Sequence, residues 1–171
     1  MRHKKTQKIV YLALLSALAI VLHLFDSMIS GPLPLGVKIG IANIISLIVI
    51  DLYGVKEMFI INIFRVVISG LLTGSIMSYP FFMSCGGVFL SSIVLALLSQ
   101  FTKLPMVSVS IISALFHNIG QLIVVSFIIS SAAMMPYVFV MMAAAIPTGI
   151  FNGIVSIEIL KRINKKPFQT E

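Results

Sequence analysis

The sequence predicts an all-α integral membrane protein, with six transmembrane helices in one bundle. Three observations carry that class. The 171 residues are 59% apolar and only 10% charged, whereas a soluble domain is about 45–50% apolar and about 25% charged. The mean hydropathy of +1.13 leaves too few charges to cover a surface facing water, so lipid is the expected solvent. The apolar residues also fall into six runs of helical length, and about 20 such residues cross a bilayer. Residues 1–171 therefore read as a single membrane domain, with short basic tails at about 1–8 and 161–171.

The first span is expected at Ile9 to Phe25. A basic start ahead of an apolar run resembles a secretory leader, with Ala17-Leu18-Ala19 as a mock cleavage site. The run continues past it and further spans follow, so it reads as an uncleaved helix. Asp26 to Leu35 reads as a loop, because Gly31, Pro32 and Pro34 are poor in a helix interior. Span two is expected at Val37 to Tyr53, with Gly54 at the turn. Span three is expected at Glu57 to Thr73 and span four at Pro80 to Phe101. Lys103 and Pro105 then break the chain before span five, Met106 to Ser130. Span six starts near Pro136, a good first-turn residue, and reaches Leu160, with a kink expected at Pro147.

Six spans return both termini to one side. Of the 12 lysines and arginines, all but Lys38 and Arg65 fall on the side of the termini. Such an asymmetry predicts a cell-membrane protein with both termini cytoplasmic. The net charge of +7 is thus a set of topology anchors, and nucleic acid is not an expected partner. Cys85, the one cysteine, reads as a packing residue. Glycines four apart (Gly36 and Gly40, Gly70 and Gly74, Gly149 and Gly153) are candidates for close helix contacts, because lipid supplies no hydrophobic drive between helices.

Arg65 is the sharpest candidate for chemistry. It lies roughly 12 Å into span three at about 1.5 Å per residue, where an arginine costs about 2.5–3.5 kcal/mol. It should face the bundle interior, with Asn62, Ser69 and Thr73 near the same face. One reading is an arginine satisfied by carbonyls and amides of the bundle. The other is a docking charge for an anionic ligand. The only carboxylates expected near its depth are Asp51, Glu57 and Glu158, all towards the cytoplasmic edge. Span five carries His117-Asn118-Ile119-Gly120-Gln121. His117 and Gln121 share a face at i, i+4, Asn118 is turned away, and Gly120 admits a close neighbour. Interhelical hydrogen bonding and a ligand face both fit that cluster. Lys38 and Asn43 extend the polar set in span two, where Lys38 suits either the outer headgroups or a ligand. His23 and Asp26 read as an exposed polar pair, and no metal site is expected.

The absences narrow the function. No Asp-rich motif for a metal and diphosphate is present, no P-loop and no Gly-x-Ser-x-Gly elbow. An enzyme acting alone is not expected, and no cofactor is called for.

Leu35-Gly36-Val37-Lys38-Ile39-Gly40-Ile41-Ala42-Asn43, then Arg65 with Gly70-Leu71-Leu72-Thr73-Gly74, then His117 to Gln121 together resemble the Gx transporter family, also labelled heptaprenyl diphosphate synthase component I. The likeness runs over nearly the whole chain. That family is similar in turn to the substrate-binding S components of energy-coupling-factor transporters. The resemblance implies an S-component-like bundle that captures a vitamin-like or anionic solute from the outer face. It also implies partnership with a transmembrane coupling subunit and ATPases, contacted through an Ala-x-x-x-Ala pattern matched by Ala13 and Ala17. The synthase label implies instead a non-catalytic membrane partner of a prenyl transferase. The expected pocket lies in the outer half or middle of the bundle, lined from Lys38, Asn43, Arg65, His117, Asn118 and Gln121.

Overall fold

The computed structural model describes residues 2–30, 40–129 and 137–163. Within them the chain forms α1 (Arg2–Ser30), α2 (Asn43–Leu52), α3 (Val55–Leu72), α4 (Tyr79–Phe101), α5 (Met106–Ile129) and α6 (Tyr137–Arg162). There is no strand among the described residues. The expected loop around Gly36 and Lys38, and the expected start of span six at Pro136, lie outside them.

Four helices, α1, α4, α5 and α6, are long and apolar enough to cross a membrane. The outward faces of the bundle are apolar, with Leu14, Val21, Phe64, Phe89, Phe127 and Phe139 all exposed. A bilayer is the environment that such faces fit. The other two helices depart from the simple pattern of six equal spans. The 18 residues of α3 have the length, but they carry Lys56, Glu57 and Arg65. The 10 residues of α2 rise only about 15 Å, half of a bilayer core. Helix α2 starts at Asn43 rather than at Val37. Gly40, just ahead of it, has φ +73°, a left-handed conformation that a helix interior excludes. Residues 44 to 49 of α2 are all buried, so this short helix is enclosed by its neighbours on every side.

The helices run alternately up and down. Lys8 of α1 pairs with Glu57 of α3 at 2.6 Å, which places both N-termini at one end. Gly54, φ +98°, turns α2 into α3 at that same end. Leu160 of α6 shares an apolar cluster there with Ile48, Met58, Leu95 and Val109. A second, smaller apolar cluster of Met83, Leu122, Val125 and Met141 closes the far end of α4, α5 and α6. Between the two clusters the interior is polar, with Asp26, Asn62, Arg65, His117, Gln121 and Asn152 all buried.

Two sets of glycines bring backbones together. A Cβ on Gly86 would stand 2.8 Å from the Gly120 carbonyl oxygen, and one on Gly87 would stand 2.9 Å from the His117 carbonyl oxygen. Only glycine lets α4 and α5 approach so closely. Gly149 and Gly153 do the same for α6, against the Cα atoms of Ile111 and Val107 of α5. The Gly70 and Gly74 pair does not mark such a contact. Gly70 faces the Phe81 ring, while Gly74 has φ +63° and open space around its Cα. Helix α6 continues through Pro147, and the Thr148 hydroxyl donates to the Ala144 carbonyl oxygen at 3.0 Å.

Candidate functional site

The polar interior is built around α3. Asn62, Arg65 and Ser69 recur at i, i+3 and i+7, so they stack along one face, and all three are buried. Asn62 sits nearest the basic end. Its amide nitrogen donates to Ser92 Oγ at 2.8 Å and to Met58 Sδ at 3.1 Å. Its oxygen accepts from Ser46 Oγ at 2.7 Å. One side chain thereby ties α2, α3 and α4 together.

Arg65 lies one turn further in and is 1% exposed. Its two terminal nitrogens share one acceptor, Asn43 Oδ1, each at 3.4 Å, and its Nε has no partner among the described residues. A guanidinium offers five N–H donors, so this one is poorly matched. The charge of Asp26 acts on it, yet no carboxylate lies within ion-pair distance of Arg65 among the described residues. Asp26 is instead held by the Gly40 amide, which donates to its two oxygens at 3.1 and 3.0 Å. The Gly40 carbonyl oxygen accepts from Asn152 Nδ2 of α6 at 2.9 Å. The start of α2 is therefore clamped between α1 and α6, and its N-terminal dipole adds positive potential beside Arg65.

Two expectations fail here. His23 and Asp26 are not an exposed pair: they are 9% and 2% exposed, because α1 continues as helix through Ser30 instead of ending at Phe25. The carboxylate nearest in effect to Arg65 is thus Asp26, and not one at the basic end of the bundle.

On α5, His117 and Gln121 share a face as expected, and both press on Gly87 of α4. His117 Nδ1 stands 3.4 Å from Ser91 Oγ. Gln121 is fully buried, and neither atom of its amide has a partner among the described residues. Asn118 points elsewhere and donates to the Met141 carbonyl oxygen of α6 at 2.7 Å, which makes it a tie between helices. Of the six candidate lining residues, Asn43 and Arg65 meet directly, and His117 and Gln121 form a second group on the α4–α5 seam. Asn118 belongs to neither group, and Lys38 lies outside the described residues. Ala13 and Ala17 are exposed on the outer face of α1.

Asp26, Asn152 and the Gly86-Gly87 pair belong to this interior and were not among the expected lining residues. Asn152 carried a signal: Asn152 and Ser156 fall at i, i+4 within span six, and both are buried against α2. Chemically, the centre presents an under-partnered cation, a helix N-terminus and amide atoms of Gln121 and Asn152 without partners among the described residues, screened from lipid by apolar outer faces.

Comparison with known proteins bears on this arrangement in one respect. The sequence model of a family described as heptaprenyl diphosphate synthase component I matches residues 15–159. No curated protein matches the chain, and no solved structure matches it.

Proposed function

The chain belongs to the heptaprenyl diphosphate synthase component I family, and from that premise we propose that it is the membrane-embedded substrate-binding subunit of a small-molecule transporter. It captures an anionic solute from the outer face of the cell membrane, with both termini cytoplasmic, and relies on a partner for energy. The observation that carries this reading is Arg65, a fully buried guanidinium with, among the described residues, a single acceptor at 3.4 Å and an unpaired Nε. A buried charge left this incomplete is costly to keep as mere glue, and charge-assisted bonds to a ligand oxyanion would offset that cost. The neighbouring N-terminus of α2 supports the same sign of ligand, in the manner of broken helices at transporter midplanes. On this reading the chain acts in the manner of an S component of an energy-coupling-factor transporter, with a coupling subunit and ATPases as partners. The exposed Ala13 and Ala17 on α1 suit such a contact.

The family description favours a second reading, a non-catalytic membrane component of a heptaprenyl diphosphate synthase. The word "component" in that description implies a further chain, which here would supply the chemistry.

Mass spectrometry of the gently purified protein separates the two. Copurified ATPases and a transmembrane coupling subunit support the transporter; a copurified soluble prenyl transferase supports the synthase component. The same measurement on Arg65→Ala tests the docking charge. An anionic small molecule carried by the native protein should fall by about 100-fold, on the scale of one or two charge-assisted hydrogen bonds. The melting temperature should fall, because the buried Asp26 loses the positive charge that acts on it and the missing side chain leaves a cavity. Retention of the small molecule by Arg65→Ala ends the docking-charge reading.

A further inference from the structure

A second site lies at the end of the bundle opposite the basic one, between α1, α3 and α4. It is a cavity of about 200 Å³. Its mouth is formed by the exposed Thr73 and Pro80, and its floor by the buried His23, Ser69 and Ser84.

Two features of its lining determine what it can hold. The first is charge: none of the described lining residues is an Asp, Glu, Lys or Arg. An ion entering this space would shed water without meeting an Asp, Glu, Lys or Arg among the described lining residues, which is unfavourable in a membrane interior. The second is the direction of its hydroxyls. Ser27 Oγ donates to the His23 carbonyl oxygen at 2.9 Å, and Thr73 Oγ1 donates to that of Ser69 at 2.8 Å and shares a hydrogen bond with Ser75 Oγ at 2.7 Å. With those hydrogens committed to their own helices, the two side chains can meet a ligand only with lone pairs. Ser69 differs from both. It is 2% exposed, lines the cavity and has no hydrogen-bond partner for its Oγ among the described residues. A buried hydroxyl without a partner costs about 1–3 kcal/mol; this one is closed off in the described fold, and a turn of the Ser69 side chain brings it to a space large enough for a solute.

We propose that this cavity binds a small neutral polyol, which donates hydrogen bonds to Ser27 and Thr73 and exchanges one with Ser69. At about 30 Å³ per water the space equals on the order of seven waters, so pentose size is the upper limit. The apolar part of the wall, Leu24, Val66 and Phe81, faces the carbon skeleton. The site is separate from the anion reading of Arg65 and does not rest on it.

The test is equilibrium dialysis of labelled glycerol, erythritol and ribose against the protein in phosphatidylcholine nanodiscs, which carry no sugar headgroups. Acetate, ethanolamine and butanol serve as anionic, cationic and apolar probes of similar size. Saturable polyol binding is expected in the native protein, weakened at least tenfold in Ser69→Val and unchanged in Arg65→Ala. Ser69→Val breaks no hydrogen bond of the hydroxyl within the described fold, so the variant should remain folded. Gly70→Ala is a second variant. Its new Cβ would lie 2.8 Å from Phe81 Cδ2, driving that ring into the cavity and cutting ribose binding more than glycerol binding. Absence of saturable binding by all three polyols overturns the proposal. So does binding that Ser69→Val and Gly70→Ala both leave intact, or a preference for acetate or ethanolamine. Loss of the small molecule of the native protein in Arg65→Ala, with ribose binding retained, confirms that the two sites are independent.

Discussion

Asn62 and Arg65 stand one turn apart on α3, are equally buried, and have opposite hydrogen-bonding fates. Asn62 uses its nitrogen for Ser92 and Met58 and its oxygen for Ser46. Arg65 brings more donors and finds one long acceptor. The same contrast repeats on α5, where Asn118 is tied to the Met141 carbonyl oxygen while neither amide atom of Gln121 is paired among the described residues. Burial alone therefore does not separate the polar groups that tie helices together from those left open. The degree of satisfaction does, because an unpaired buried polar atom costs about 1–3 kcal/mol, and on the proposed function a ligand repays that cost at Arg65.

The comparison breaks most completely if α4 and α5 are parted, since their seam is what encloses His117 and Gln121. A Cβ on Gly120 would overlap the Gly86 carbonyl, a backbone group that cannot rotate aside. Gly120→Val should cost about 3 kcal/mol or more, the upper range for overpacking, and should be seen as loss of monodisperse protein on size exclusion. A well-behaved Gly120→Val would mean that the seam is looser than its geometry states. A smaller effect is expected at the satisfied node. Asn62→Leu strands the hydroxyls of Ser46 and Ser92 and should lower stability by about 1–3 kcal/mol, read as a lower midpoint in a thermal melt. It should leave any small molecule held through Arg65 in place, which is the reverse of the result expected for Arg65→Ala.

Much of this architecture was legible in the residues. The helical runs, the inward orientation of Arg65, the shared face of His117 and Gln121 and the close contact at Gly149 and Gly153 all follow from periodicity and from the cost of polar groups in lipid. The partners were not legible. Asp26 reads as exposed if α1 ends at Phe25. It becomes a buried carboxylate only because the helix continues and the Gly40 amide returns to meet it. The half-length of α2 was hidden too, since an apolar run that is enclosed by protein looks the same as one that faces lipid. Helical period assigns a residue to a face, but the neighbour across that face is set by packing order, to which a single sequence gives no direct access.

Gln121 offers the finest test of the contrast, because its effect on stability should have the opposite sign to that of its neighbour on the same helix. Its side chain is fully buried against Gly87, and its amide atoms are unpaired among the described residues. Methionine has nearly the same length and flexibility and no strong polar atoms. Gln121→Met should therefore keep the packing and remove the penalty, raising stability by about 1 kcal/mol. Asn118→Leu should lower it by a similar amount, because the Met141 carbonyl loses the side-chain donor that α5 provides. Thermal melts of the two variants side by side decide the matter. If Gln121→Met melts below the native protein, its amide is paired within the fold. Gln121 then belongs with Asn62 and Asn118 among the ties between helices, and the set of groups held open at the centre of the bundle contracts towards Arg65.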